Sequence, residues 1–433
     1  MKFSNRFFGA ASRRDVLKLA SFGILGGSVS GWLDLVAGRA FAMEQARVAR
    51  ARACIVLFMN GGPAQTFTFD MKPKVGPNHC PFDPIATSVP GIQVCEHLPR
   101  LARQMHLFGQ IRGMSTAIAD HGPARYLMRT GFRPASGLIH PSMGARVVNE
   151  LVREDTGLPS YVTLYAPGSG LEGVGSGFLP PASRPLILRD VTAGLADLNP
   201  HPWMTGGMNG VREANELLEQ MDRAFADDHQ AEIARIRRQG YRRAVELMDM
   251  DRARTAFQIE REPDRVQDLY GRTPFGRQCL GARRLLEHGV KYIEILPPLN
   301  WDTHTQTVPN VTQNCQVLDG PMARLMEDLH DRGHLDDTLV VWMGDFGRDY
   351  AGSNHHARAW TTLLAGAGVR GGHVVGRTDA RGMTVEDRPV SARDFAATIY
   401  TALGVDPNRE TMVRNRPIRT VDGVSRPVVE LFS

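Results

Sequence analysis

Short apolar runs alternate with helical patterns along most of the chain. Residues 53–59 (ACIVLFM) form an uninterrupted apolar run that ends in Asn60-Gly61-Gly62-Pro63, which is typical of a buried strand followed by a turn. Similar runs predict strands at residues 106–111, 161–165, 291–296, 338–343 and 361–365. Because buried strands that alternate with helices favour a mostly parallel sheet covered by helices, we predict an α/β fold.

Helical periodicity fills the intervals between these strands. It predicts helices at residues 97–105, 122–130, 143–152, 276–288, 311–332 and 392–403. Residues 211–262 differ, because they are highly charged and helical in pattern and contain no strand signal. We therefore predict one large α/β domain over residues 43–433, with a helical insertion at about 211–262.

The first 42 residues do not share this pattern. A basic stretch with the sequence SRRDVLK at residues 12–18 precedes a weakly apolar, glycine-rich run that ends in Ala40-Phe41-Ala42. This segment resembles a twin-arginine (Tat) export signal with a small-residue cleavage site. The resemblance implies passage through the Tat translocon, cleavage after Ala42 and a periplasmic mature protein. No later segment has 18 consecutive apolar residues, so we do not expect an integral membrane protein.

The net charge of +5 comes mainly from that segment. Residues 1–42 contain six basic and two acidic residues, so they account for four of the five positive charges. The remaining chain therefore carries a charge of about +1. A nearly neutral body gives no support to a nucleic-acid-binding function, which usually needs a basic face.

The five cysteines give little indication of a metal or redox motif. Their number is odd and no C-x-x-C pattern occurs, which argues against a zinc finger or a thioredoxin-like site. Cys80 and Cys95 could close a loop in an oxidising compartment, and the sequence leaves this pairing open.

Polar residues follow several of the predicted strands or open a helix. These residues are Asn60, Asp120, His121, Asp302, His304, Asp345 and His355. In open α/β sheets the site lies beyond the carboxyl ends of the strands, so we expect these side chains to converge in one crevice. An Asp and a His separated by one residue, together with a later His, can provide three ligands and leave one position open, as a catalytic Zn²⁺ site requires.

Each candidate also has a structural interpretation. His121 could cap the helix that starts at residue 122, and Asp345 could pair with Arg348 within one loop. His304 could be an ordinary hydrogen-bonded histidine. Asp70 is as compatible with a turn as with a ligand role.

Several ordered blocks resemble known proteins. Residues 115–144 (STAIADHGPARYLMRTGFRPASGLIHPSMG) resemble the sulfatase segment C/S-x-P-S/A-R followed by L-T-G-R. The blocks NGGP, WDTH, LVVWMGDFGR and LLAGAGVRGGHVVGRTD, together with the export signal, resemble a bacterial family of exported sulfatase-like proteins, the domain of unknown function fifteen-oh-one. This family is similar to the alkaline phosphatase superfamily, and the resemblance covers nearly all of residues 43–420.

The resemblance implies a three-layer α/β/α sandwich and a site with one divalent metal ion. Asp302, His304 and His355 match the Asp-His-His set that holds one metal, with Asp345 in support. Zn²⁺ is the ion that this set favours, and Mn²⁺, Ca²⁺ and Mg²⁺ are also compatible with the superfamily. A second metal set is expected to be lost or altered, because Asn60 and Phe346 stand where ligands would be needed.

The nucleophile position departs from the sulfatase pattern. His121 stands where sulfatases have Cys or Ser, so no formylglycine can form. The resemblance leaves His121 as a base, a nucleophile or a metal ligand. It gives Arg125 an anion-binding role, because a guanidinium suits phosphate or sulfate oxygens, and it places Asn60 beside the substrate. Relatives tend to have a His where this chain has Gln65.

Two functions follow from this resemblance. The first is an exported metal-dependent hydrolase that acts on a small anionic phosphate, phosphonate or sulfate ester. The second is a catalytically degenerate member of the superfamily that acts as a periplasmic binding or envelope assembly protein. The substitutions at the second metal set and at the nucleophile position favour the second, whereas the retained Asp302, His304 and His355 favour the first.

Overall fold

An eight-stranded sheet forms the centre of the unit Val48–Ser433. The computed structural model describes residues 48–432 apart from 49, 73, 75–78, 153–157, 192–205 and most of 229–254. The strands are β1 (Ala53–Met59), β2 (Phe108–Met114), β3 (Tyr161–Tyr165), β4 (Leu186–Leu188), β5 (Tyr292–Leu296), β6 (Thr338–Gly344), β7 (Trp360–Ala365) and β8 (Val374–Val375). They lie in the order β8-β2-β7-β6-β1-β5-β3-β4.

The sheet is parallel except at one strand. β7 runs antiparallel to both of its neighbours, β2 and β6, whereas all the other neighbouring pairs are parallel. The start of β7 therefore lies at the same edge of the sheet as the carboxyl ends of the parallel strands. This confirms the predicted mostly parallel sheet and adds a strand whose direction the sequence pattern does not indicate.

Helices cover both faces of the sheet. The helices with described bounds are α1 (Pro99–Arg103), α2 (His121–Thr130), α3 (Met143–Leu151), α4 (Gly207–Asp228), α5 (Asp264–Tyr270), α6 (Pro274–Glu287), α7 (Thr307–Asp331) and α8 (Ala392–Ala402), and all except α4 contribute residues to the cores on the two faces. Every residue of β1 is buried, because its alternate side chains enter two separate cores. Ile55 and Leu57 pack with α1, α6 and α7, whereas Val56 and Phe58 pack with α2, α3 and α8. The fold is thus an α/β/α sandwich.

Two predicted segments, the helical insertion and the export signal, lie partly or wholly outside the described residues. The predicted insertion at about 211–262 begins with α4, and most of residues 229–254 lie outside the described residues. The export signal at residues 1–42 also lies outside them. No helix within the described ranges is both long and apolar enough to cross a membrane.

All five cysteines are buried and unpaired. Cys80 and Cys95, whose pairing the sequence left open, are free thiols in this structure. Burial raises the pKa of Cys80 to about 12, so this thiol stays protonated at neutral pH.

A buried ion pair joins α2 to the central sheet. The Nε atom of Arg129 lies 2.7 Å from Oε1 of Glu294 on β5, and both side chains are buried. The hydroxyl of Tyr161 donates to the other carboxylate oxygen at 3.0 Å, and the guanidinium lies 4.0 Å from the ring centroid of Phe58. Both oxygens of Glu294 are therefore satisfied inside the core, which is the condition that a buried carboxylate requires.

We expect Arg129→Met to destabilise the protein by about 3–5 kcal/mol, because it leaves the charge of Glu294 buried without its partner. Urea denaturation followed by circular dichroism measures the change. The double variant Arg129→Met with Glu294→Met is the control, since replacing a whole buried pair with apolar side chains of similar size is often nearly neutral. A single variant that is as stable as the double variant would contradict this assignment.

Candidate active site

Five polar residues meet at the carboxyl edge of the sheet because of the strand topology. Asn60 directly follows β1 and Asp345 directly follows β6. Asp302 lies in the loop after β5, and His121 opens α2, the helix that follows β2. His355 precedes the antiparallel strand β7, so it reaches the same edge from the opposite chain direction. The predicted convergence of these positions is what the fold produces.

His121 lies between two carboxylates. Its Nδ1 is 2.6 Å from Oδ2 of the buried Asp345, and its Nε2 is 3.2 Å from Oδ1 of Asp302. The ring also stacks on Phe346, with centroids 4.8 Å apart and an interplanar angle of 28°. Helix α2 begins at His121, and the side chain of His121 contacts Asp345 instead of capping the helix. The helix-cap interpretation is therefore not what the structure shows.

The carboxylate of Asp302 contacts three histidines and one arginine of the site. Its Oδ1 lies 3.0 Å from Nε2 of His304, 3.4 Å from Nε2 of His355 and 2.5 Å from Nη2 of Arg348. The Nδ1 of His355 contacts the carbonyl oxygen of Ala119 at 2.7 Å. A carbonyl can only accept, so Nδ1 carries a proton and Nε2 is the nitrogen that faces Asp302.

Arg348 is fully buried and binds three loops together. Its Nη2 donates to the carbonyl oxygen of Gly61, its Nε donates to that of Gly62 at 3.1 Å, and its Nη1 donates to that of Ser353 at 2.9 Å. Gly61 has φ +101°, and a Cβ atom there would lie 2.3 Å from the amide nitrogen of Asp302. Only glycine fits this approach, so the turn after β1 packs directly against the Asp302 loop.

Gln65 fixes the backbone of Arg348. Its Nε2 donates to the carbonyl oxygen of Arg348 at 2.7 Å, and its Oε1 accepts from the amide of Arg348 at 3.0 Å. The sequence allowed an ion pair between Arg348 and Asp345, but the carboxylate that Arg348 contacts is that of Asp302. Gln65 therefore has a positioning role.

The pKa values follow from these contacts. Burial lowers the pKa of His121, but the attraction of Asp345 and Asp302 outweighs burial and leaves it above its ordinary value. Burial raises the pKa of Asp302, but Arg348 and His121 outweigh it and hold the pKa far below its usual range. A raised histidine pKa stabilises the fold below the unfolded-state value, and this contribution is lost as the pH rises through the folded-state value.

The donor set suits a divalent metal ion. His121, Asp302 and His355 each offer one ligand atom, and these atoms lie within 4.8 Å of one another. Nε2 of His121 and Oδ1 of Asp345 are buried and lack an aligned hydrogen-bond partner among the described residues. Two imidazoles and a carboxylate with an open position are the ligands that catalytic Zn²⁺ prefers. The residues present therefore fit the predicted metal.

Of the four predicted ligands, Asp302 and His355 belong to this group, together with His121, for which the sequence left a ligand role open beside those of base and nucleophile. His304 is close to Asp302 but half exposed, and Asp345 lies behind His121, where it orients the imidazole. The neighbouring His356 points elsewhere, with its Nε2 2.7 Å from the carbonyl oxygen of Met383. This geometry therefore favours His355 over His356 as a ligand.

Arg125 and Asn60, the predicted anion-binding residues, contact each other. Nη1 of Arg125 donates to Oδ1 of Asn60 at 2.9 Å. The other edge of the guanidinium binds Glu172, with Nε and Nη2 at 2.7 and 2.8 Å from the two carboxylate oxygens. Glu172 belongs to no recognisable motif, and its only signal in the sequence is its place in a glycine-rich segment at residues 168–177.

Asp70 is not near the site. It is buried and lies 3.0 Å from Nζ of Lys72 and 3.5 Å from Nη1 of Arg112, and it accepts a hydrogen bond from the hydroxyl of Thr378 at 2.5 Å. This cation-rich environment satisfies the carboxylate, so Asp70 has a structural role.

Comparisons with known proteins identify one family. The model of the family described as "Protein of unknown function (DUF1501)" matches residues 51–432. No curated protein matches the chain. Similar solved structures include a sulfatase from Pseudoalteromonas sp. (10% identity, 85% of this chain and 71% of that chain, TM-score 0.40). A phosphonate monoester hydrolase of Agrobacterium radiobacter is also similar (12% identity, 83% and 75% coverage, TM-score 0.40).

We expect the imidazole of His121 in metal-free protein to titrate above the ordinary value of 6.5, because two carboxylates favour its charged form. Asp345→Asn removes one of these charges and should lower this pKa. NMR of the imidazole nitrogens over a pH series measures both values. Glu410→Gln, which removes a remote surface carboxylate, should leave the titration unchanged. An equal titration in wild-type protein and Asp345→Asn would show that the 2.6 Å contact does not form in solution.

Proposed function

This chain belongs to the family described as Protein of unknown function (DUF1501), and we propose that it is a metal-dependent hydrolase of a phosphate, phosphonate or sulfate ester. The observation that carries this proposal is the convergence of His121, Asp302 and His355 at the carboxyl edge of the sheet. Two imidazoles and a carboxylate from three separate segments of the chain meet there, next to a guanidinium that suits an oxyanion.

The chain's own residues divide into ligands and positioning groups. His121, Asp302 and His355 would hold the ion, with Zn²⁺ favoured by the donor set, and His304 lies close enough to Asp302 to support them. When bound, such an ion supplies Lewis-acid polarisation of an ester oxygen and favours ionisation of water. Arg348 fixes Asp302, and Asp345 fixes the tautomer of His121.

Water is the nucleophile in this proposal. Position 121 carries His where the resemblance to sulfatases leads us to expect Cys or Ser. The Nε2 atom of His121 has one lone pair, so it cannot bind a metal and accept a proton at the same time. The short distances between His121, Asp302 and His355 favour the ligand role for this nitrogen. Arg125 would bind and orient the anionic group of the ester, and its partner Asn60 would hold the guanidinium in place.

One set of contacts favours a second function. Arg348 already neutralises Asp302, and Glu172 already neutralises Arg125. Phe346, which cannot bind a metal, packs against both His121 and His355. A site that is charge-balanced by its own side chains is compatible with a binding or envelope assembly protein that has lost catalysis.

We expect the purified protein, loaded with Zn²⁺ or Mn²⁺, to retain about one divalent ion per chain and to hydrolyse at least one member of a panel of aryl phosphate, phosphonate and sulfate esters. His355→Gln should lower metal affinity by at least about tenfold and abolish turnover. The adjacent variant His356→Gln should keep both properties, because this residue faces away from the cluster. Elemental analysis and chromogenic assays provide the readouts.

Two results would favour the binding protein instead. The first is wild-type protein that retains no divalent ion and shows no turnover on any ester. The second is a metal content that is the same in His355→Gln, His356→Gln and wild-type protein, again without turnover. Either result would remove the hydrolase proposal.

We also propose that the protein is exported through the Tat pathway and cleaved after Ala42, on the basis of the SRRDVLK segment at residues 12–18. Replacing Arg13 and Arg14 with Lys should leave the uncleaved precursor in the cytoplasm, as cell fractionation and immunoblotting would show. Replacing Arg6 and Arg39 with Lys is the matched control and should leave export unchanged. Normal export of the first variant would contradict this proposal.

A further inference from the structure

We propose that Glu172 sets the charge of the ester that the site accepts, so that singly charged esters are preferred over doubly charged phosphomonoesters. Singly charged esters include phosphodiesters, phosphonate monoesters and sulfate monoesters. This inference rests on the proposed function, because it assigns the anionic group of the substrate to Arg125.

The carboxylate of Glu172 occupies the edge of Arg125 that an oxyanion would use. Nε and Nη2 form the side-on fork of a guanidinium, and they contact the two oxygens of Glu172 at 2.7 and 2.8 Å. A phosphate or sulfate group would bind the same two donors with two of its own oxygens. The carboxylate of Glu172 therefore occupies the position in which the anionic group of a substrate would bind.

This contact can open. The side chain of Glu172 is 44% exposed, whereas that of Arg125 is 14% exposed, so the carboxylate can swing into solvent while the guanidinium stays in place. An anion that enters the site with additional contacts to the neighbouring residues can therefore displace the carboxylate from Arg125.

The backbone of Glu172 cannot move far when its side chain is displaced. Nη1 of the buried Arg129 donates to the carbonyl oxygens of Gly170 and Glu172 at 2.8 and 3.1 Å. Gly170 packs so closely against the pair that a Cβ atom there would lie 2.3 Å from Nε of Arg125 and 2.4 Å from Oε2 of Glu172. Arg129 is fixed in turn by its ion pair with Glu294. The charge of Glu172 therefore remains near any anion that binds Arg125.

Glu172 keeps its charge at neutral pH. The hydrogen bond from Arg125 holds the pKa of this carboxyl below its ordinary value. The carboxylate stays ionised once a substrate displaces it, because its unperturbed pKa of about 4.3 is also well below neutrality. A bound ester therefore meets a permanent negative charge.

The formal charges of the site favour an anion of low charge. Arg125 and Arg348 are cationic, whereas Asp302, Asp345, Glu172 and the nearby Asp120 are anionic, so these side chains sum to two negative charges. A divalent ion held by neutral imidazoles and Asp302 would bring this sum to zero. Glu172 repels each further negative charge of a bound ester, so a doubly charged phosphomonoester is disfavoured more than a singly charged ester.

The kinetic test compares two substrates that share a leaving group. Metal-loaded wild-type protein and Glu172→Gln are assayed at pH 8 with bis(4-nitrophenyl) phosphate, which carries one charge, and 4-nitrophenyl phosphate, which carries two. Glu172→Gln keeps the shape of the side chain and removes its charge. The ratio of kcat/KM for the two substrates should shift by about tenfold or more towards the doubly charged ester.

Glu410→Gln is the matched control for this test. Glu410 is likewise about half exposed and is paired with an arginine, Arg419, but it lies on a separate two-stranded hairpin. Its substitution should leave the ratio unchanged. Equal ratios in wild-type protein and Glu172→Gln would overturn the inference and leave the proposed hydrolase intact, because both proteins would still be active.

A binding measurement separates this inference from the proposed function. Isothermal titration calorimetry with methyl phosphate, doubly charged at pH 8, and dimethyl phosphate, singly charged, requires no turnover. The affinity for methyl phosphate should rise more in Glu172→Gln than the affinity for dimethyl phosphate. If this shift occurs without turnover, the hydrolase proposal fails and the charge-selection role of Glu172 stands. If neither anion binds to either protein, the inference is overturned.

Discussion

A single carboxylate oxygen, Oδ1 of Asp302, organises the edge of the sheet. Side-chain nitrogens of His121, His304, His355 and Arg348 all lie within 3.4 Å of it. Of these groups, Arg348 donates to the oxygen and holds the carboxylate ionised, whereas Nε2 of His121 and of His355 face it as unprotonated nitrogens when the imidazoles are neutral. The loops after β1, β5 and β6 keep their relative positions through this contact and through the carbonyl oxygens that Arg348 also binds.

Main-chain contacts hold the candidate ligands together. Residues from distant segments meet only while each segment keeps its backbone path, and Arg348 and Gln65 secure these paths. Arg348 donates to the carbonyl oxygens of Gly61, Gly62 and Ser353, and Gln65 bonds to both the amide and the carbonyl oxygen of Arg348. The geometry of the site therefore depends on two residues that are not candidate ligands themselves.

Much of the architecture could be predicted from the sequence because buried strands must consist of apolar residues, and such runs can be recognised along the chain. A strand such as β1, buried on both faces, must be apolar throughout, and parallel strands place the residues that follow them at one edge. The convergence of Asp302, Asp345 and His121 follows from that rule. His355 reaches the site only because β7 is antiparallel, and periodicity carries no information about strand direction.

The partners of the long side chains could not be predicted in this way. Arg348 bonds to Gln65, which is 283 positions away, and Arg125 bonds to Glu172 across 47 positions. Such pairs depend on the final positions of loops and on rotamers that local sequence does not encode. Asp345 and Arg348 are three positions apart and suggested a local ion pair, but each has its partner in another segment, His121 and Asp302 respectively.

Arg129 stabilises the core and a surface loop at the same time. One side of its guanidinium neutralises Glu294 in the core, and Nη1 holds the carbonyl oxygens of the loop that carries Glu172. Replacing the core pair with apolar residues would keep the interior packed but release the loop. Under the proposed function, a variant selected only for resistance to heat would therefore acquire a broader substrate range as a by-product, with no change at any residue proposed to contact the substrate.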